Sequence, residues 1–284
     1  MHADYTIFTT DDAFDIVGRL FEPDGEMRGV VVIAPAMAVA QEYYAPIAGW
    51  LADRGFLVIT FDYRGTGQSL RGPLRDFDAD IFDWARRDCS AVLQRALDQA
   101  AGRPLFWIGH SVGGQIVPLV KGATSISKII TIAAGVGYWR TNPRPLRYYA
   151  ILLWYLIVPI VLPLFGYFPG ERLRILGDLP SGVMRQWRRW CLHPRYSVGV
   201  EGPVVEAEYA AIRAPLFSLS FSDDEFMSSR SIAVLNELYE NAAVTVQTAG
   251  PEDLDGKHIG HFGFFRPGVA EPLWKKHLLV ELTS

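Results

Sequence analysis

Pro104-Leu105-Phe106-Trp107-Ile108-Gly109-His110-Ser111-Val112-Gly113-Gly114-Gln115-Ile116-Val117 is the stretch on which the reading of the whole chain turns. An apolar run enters a Gly-x-Ser-x-Gly pentapeptide and a helix-like run leaves it, the pattern of a strand, a tight turn and a helix. A serine in such a turn must hold a strained backbone, and a bulky residue two positions to either side would clash. Gly109 and Gly113 remove that clash and leave the hydroxyl exposed above a sheet. Helix amides behind it would favour negative charge forming nearby. Ser111 is therefore the candidate nucleophile.

Working outward, Val30–Pro35 (VVVIAP), Phe56–Asp62 (FLVITFD), Lys128–Ala134 (KIITIAA), Ala214–Phe221 (APLFSLSF) and Val244–Thr248 (VTVQT) repeat the short apolar run. Such runs fit strands buried on both faces. Helical patterns lie between most of them, one through Tyr44, Ile47 and Leu51 and a long one from about Phe77 to Ala100. The first 30 residues alternate polar and apolar and suggest an edge hairpin. Strands alternating with helices imply right-handed crossovers and an α/β fold with a mostly parallel central sheet flanked by helices.

Of the 284 residues 50% are hydrophobic and 20% charged, which excludes a disordered chain. With 27 Lys+Arg against 31 Asp+Glu the net charge is -4, so no nucleic-acid partner is expected. Cys89 and Cys191 cannot build a disulfide scaffold, and two free thiols in a reducing cytoplasm are expected. The first residues, Met1-His2-Ala3-Asp4-Tyr5, have no basic cluster followed by an apolar core, so no secretory signal is expected.

A serine hydroxyl is a poor nucleophile until a positioned base takes its proton. Of the six histidines, His2 is terminal, His110 adjoins Ser111 and is assigned to packing, His193 lies in the insertion and His277 in the last helical segment. His258 and His261 fall in KHIGHFGFFRP, a loop after the last strand; Gly260 and Gly263 flank His261 and favour it over His258. No ligand pattern accompanies the pair, so neither a metal nor another cofactor is expected. The base needs an acid to fix its tautomer. Ser222-Asp223-Asp224-Glu225 follows the LFSLSF strand, with Asp224 the first choice and Asp223 the reserve. The order Ser111, Asp224, His261 is the chain order known for α/β-hydrolases.

These motifs resemble the α/β-hydrolase superfamily, and more narrowly its serine-aminopeptidase-like and lysophospholipase-like bacterial hydrolases. The resemblance runs through Ala34-Pro35-Ala36-Met37, the Asp62-Tyr63-Arg64-Gly65-Thr66-Gly67-Gln68-Ser69 loop, the Ser111 turn, the Asp224 loop and Gly260-His261-Phe262-Gly263. It implies an oxyanion hole made of the Met37 and Val112 amides, although Pro35-Ala36 stands where many relatives have His-Gly. The Asp62–Ser69 loop lacks the ending of a phosphate loop and is expected to brace the site face, with Asp62 and Arg64 satisfying buried backbone groups.

The regular alternation breaks off between β-like runs, and a cap insertion over 138–203 is expected, leaving 1–137 and 204–284 as the hydrolase core. The insertion is rich in Trp, Tyr and Pro and carries nine arginines. Trp139, Trp154, Phe165 and Trp187 are candidate lining of an acyl pocket, though aromatic stripes more often knit a core together. From Tyr148 to Pro169 there is no charged residue, a length that would span a bilayer. A single crossing would separate Ser111 from Asp224 and His261, so the run is expected to face the site or to touch lipid peripherally. The resulting expectation is a serine hydrolase of a small hydrophobic ester, thioester or lactone. Its alternatives are a peptidase, amidase or acyltransferase on the same residues, and a non-catalytic protein that binds a membrane or partner through the cap.

Overall fold

The computed structural model describes residues 3–268 and 270–283; His2 lies outside them. The apolar runs form β3 (Gly29–Ala34), β4 (Phe56–Phe61), β5 (Leu105–His110) and β6 (Lys128–Ile132). Before them come β1 (Ala3–Thr9) and β2 (Asp15–Phe21). After them come a short ribbon, β7 (Tyr167–Phe168) with β8 (Leu179–Pro180), and then β9 (Leu216–Phe221) and β10 (Val244–Ala249). The main sheet has eight strands in the order β1-β2-β4-β3-β5-β6-β9-β10. β1 and β2 are antiparallel and β2 meets β4 antiparallel, while every later pairing is parallel. Parallel neighbours cannot be joined by a tight turn, so each connection crosses a face and covers it. Two cores result. Trp84, Val92 and Trp107 pack on one side, and Ile47, Leu51, Phe265 and Trp274 on the other.

Three expectations need adjusting. VTVQT is the sheet's outer strand, with Val246 56% exposed, because β10 has a neighbour on one side only. The long helix starts at Ile81, not near Phe77, since the Asp80 carboxylate caps the Asp83 amide in a capping box. The run leaving Ser111 is one α-turn, Val112–Gln115, followed by a 3-10 turn, Val117–Leu119. Pro118 has no amide to continue the helix, so little macrodipole builds up behind Ser111.

The Asp62–Ser69 loop is a brace. Asp62 accepts the amides of Gln41 (2.8 Å) and Gln68 (2.9 Å) and tethers the loop after β4 to the segment after β3. Arg64 lies between two acids, with Nε 2.7 Å from Asp88 Oδ1 and Nη1 2.7 Å from Asp12 Oδ2. Asp88 also accepts the Arg64 amide at 2.9 Å and has no solvent-exposed surface. Removing one member of a buried pair leaves the other charge uncompensated. Asp88→Ala is therefore expected to lower unfolding free energy by about 3–5 kcal/mol in urea titrations. A loss under about 1 kcal/mol, the range of exposed pairs, would show that Asp12 alone holds Arg64.

Candidate active site

Ser111 sits directly after β5 with φ 51° and ψ -114°, outside the regions L-residues favour. The turn closes because its neighbours are small. A Cβ on Gly109 would overlap the backbone of Gly113 and Gly114, and one on Gly113 would overlap the Ala34 carbonyl at the end of β3. The Ser111 amide is held by the Ile132 carbonyl at 3.0 Å. Its hydroxyl makes no hydrogen bond to any described residue, so it is free for an incoming group.

The acidic run after β9 is spent mostly on the loop that carries His261. Asp224 Oδ2 accepts from His261 Nδ1 at 2.9 Å, while its Oδ1 takes the amides of Phe226 (2.7 Å) and Met227 (2.8 Å). Asp223 instead accepts the amides of Ile259 (2.8 Å) and Gly260 (3.0 Å), and Glu225 accepts the His261 amide (3.1 Å). Asp224 thus meets the imidazole and Asp223 shapes the loop beneath it. Gly260 has φ +59°, the left-handed turn that presents His261 to Asp224. His258 is exposed, 3.8 Å from Asp223, and takes no part in this arrangement. With Asp224 on Nδ1, His261 Nε2 is the ring nitrogen left for proton transfer.

His110 links the separate loops. Tyr44 Oη accepts the Ala36 amide (2.8 Å) and lies 2.8 Å from His110 Nδ1, and His110 Nε2 lies 3.0 Å from the His261 carbonyl. A carbonyl can only accept, so Nε2 carries the proton and Tyr44 donates to Nδ1. The residue adjoining Ser111 therefore grips the backbone of His261, with the two imidazole centroids 5.2 Å apart. At the other end of this chain Ala36 opens a turn closed by the Val39 amide on the Ala36 carbonyl (3.2 Å), with Ala38 at φ +58°. Neither the Met37 amide nor the Val112 amide donates to a described residue.

Sequence reasoning missed Tyr44, whose place in a helix-like pattern concealed its hydroxyl's task. It also missed the rings around His261, Phe226 at 5.1 Å and Phe262 at 5.0 Å between centroids. Both stand beside motifs already singled out, and adjacency to Glu225 and His261 was the available signal. Of the candidate pocket residues, Trp154 packs edge-to-face on Trp187 at 5.1 Å, Trp139 lies under Arg140, and Phe165 under Arg172. None of the four has a ring contact with the His261 loop among the described residues. An open cleft lined by Ala38, Val39, Tyr43 and Phe262 lies between the Met37 turn and that loop.

Complete burial pushes the His110 pKa well below that of a free imidazole, so it stays neutral in the fold. The unfolded chain binds a proton there below about pH 6.5 and the folded chain does not, so stability is full above that pH and falls below it. Wild type is expected to lose about 1 kcal/mol more than His110→Gln between about pH 6.5 and 5.5, measured by urea unfolding. Parallel pH curves for the two would contradict a neutral, proton-refusing His110.

The serine aminopeptidase S33 family model matches residues 25–162. A monoacylglycerol lipase of Mycolicibacterium smegmatis is 34% identical over 104 residues, which span 36% of this chain and 35% of that protein. The match therefore covers about a third of the curated relative's length. A monoglyceride lipase of Saccharomyces cerevisiae, solved with a substrate analogue, superposes with TM-score 0.65 at 17% identity, over 96% of this chain and 92% of that one. An esterase of Pyrococcus furiosus does so with TM-score 0.64 at 14% identity, over 99% and 89%. At those identities the two structures speak for the fold alone. The family model covers the stretch from the approach to β3 through the serine turn, and the folds agree along nearly all of the chain. The chain has the α/β-hydrolase fold, and over residues 25–162 it is similar to the serine aminopeptidase S33 family.

Proposed function

We propose that this chain is a serine hydrolase that cleaves a carboxylic ester with a hydrophobic acyl part. The observation that carries the reading is the fixing of His261 on both sides, by Asp224 on its ring and by His110 on its carbonyl, His110 itself being the residue before Ser111. Ser111 Oγ attacks the ester carbonyl carbon as its proton passes to His261 Nε2, and Asp224 stabilises the imidazolium. The Met37 and Val112 amides receive the oxyanion, each such donor being worth roughly 2.7–4 kcal/mol in comparable sites. Collapse breaks the ester C–O bond, and His261 returns its proton to the departing alcohol. Water, deprotonated by His261, then cleaves the acyl-Ser111 ester and releases the acid.

In this reading residues 138–203 form a cap over the site. Its support is contact at two places. Thr141 accepts the Ser228 hydroxyl (2.6 Å) just beyond the Asp224 loop, and Gly177 packs against Ala38 beside Met37. The lipase and esterase likenesses favour an ester over an amide as substrate.

Fluorophosphonate labelling with site mapping tests the nucleophile. Wild type is expected to label at Ser111, Ser111→Ala not at all, and Asp224→Asn to hydrolyse a short nitrophenyl ester about 10⁴-fold more slowly. Folded wild type that takes no label would overturn the proposal.

A further inference from the structure

Residues Leu146–Phe165 form a continuous helical stretch of 20 residues, roughly 30 Å long at the rise of an α-helix. It meets the protein through Ala150, Trp154, Val158 and Leu162, each four residues after the last, with Leu153, Ile157 and Val161 half-buried beside them. Most of the rest faces outward and, Arg147 apart, is apolar. Tyr149 is 65% exposed, Leu156 and Ile160 50% each, and Leu164 73%. Soluble surfaces rarely leave so long an apolar strip uncovered. The helix is apolar and long enough to cross a bilayer, yet β6 before it and β9 after it are hydrogen-bonded neighbours in one sheet. A lone crossing between them would pull that pairing apart.

The charge around the strip points to what covers it. Arg144 and Arg147 stand at its start, Arg172 and Arg174 just past its end, and Arg185 and Arg188 along its flank. None of these six makes an ion pair with a described acid, in contrast to Arg189 and Arg195, which pair with Glu201 and Glu206. Arg188 Nε caps the Trp154 carbonyl at 2.5 Å, a group left short of a donor where Pro159 interrupts the helical ladder. Beside it runs a groove of about 360 Å³, with Val158, Pro159, Leu162 and Pro163 on one side and Arg185, Arg188 and Arg189 on the other. Apolar and guanidinium walls facing each other suit a molecule with an acyl chain and an anionic head. Two copies pressed face to face would bring these arginine collars together, with repulsion and no counter-charge.

We propose that the outward face of the 146–165 helix docks this protein on an anionic phospholipid bilayer, lying in the plane of the interface. The apolar side chains enter the acyl boundary while the arginine collar meets headgroup phosphates. Tyr148, Tyr149 and Tyr155, all more than half exposed, sit where aromatic rings favour the interface. The proposal goes beyond the hydrolytic reading and does not depend on it.

Co-sedimentation of the full chain with lipid vesicles tests it, using phosphatidylcholine alone and phosphatidylcholine with roughly 30% phosphatidylglycerol. Binding is expected for the anionic vesicles and is expected to weaken at about 0.5 M salt. Arg172→Gln and Arg185→Gln should each weaken the partition about fivefold, and Leu156→Asn with Ile160→Asn about tenfold or more. All three variants should hydrolyse a soluble short-chain ester as wild type does, which separates loss of docking from loss of the site. Three results would overturn the proposal: no binding to anionic vesicles, equal binding to both vesicle types, or a vesicle-free dimer that Leu156→Asn with Ile160→Asn dissociates.

Discussion

A run of hydrogen bonds from the Ala36 amide through Tyr44 and His110 to the His261 carbonyl ties together the segments that carry Met37, Ser111 and His261. It joins the turn after β3, the turn after β5 and the loop after β10, none of which is near the others in sequence. Each member has one arrangement that satisfies it. The phenol accepts from an amide and donates to a ring nitrogen, and the ring's other nitrogen must then donate to a carbonyl. Being buried, the network cannot exchange a partner for water without a desolvation cost, and that makes it a locator as well as a brace.

Around this locator the fold spends charge with purpose. Asp223, Asp224 and Glu225 take five amides and one imidazole between them, so an acidic triplet that would repel itself in solution becomes the mould of the His261 loop. Asp62 and the Asp12–Arg64–Asp88 cluster do similar work around the loop after β4. The segment between β6 and β9 follows the opposite rule. Its arginines are mostly left without acids and its longest helix is left without cover, features that cost stability in water and make sense against a surface that supplies both.

The sheet was legible because strands buried on both faces must be free of charge, and β3, β4, β5 and β9 are exposed nowhere. The serine turn was legible for a steric reason, since few sequences put glycine on both sides of a serine between an apolar run and a helix start. The exposed edge at β10 was not, as an apolar run does not say how many neighbours its strand will have.

The sequence by itself determined the class of fold, the serine, and a short list of acids and histidines, because these follow from periodicity, local sterics and residue chemistry. Only tertiary structure decided which carboxylate meets which group. Asp223 and Asp224 are adjacent and chemically alike, and what separates them is the direction each side chain takes as the chain leaves β9. It also decided that Tyr44 and His110 belong together, and which side of the apolar 146–165 helix turns inward and which outward. Hydrophobicity records how much a segment avoids water, but the side it hides is set by what the rest of the chain brings against it.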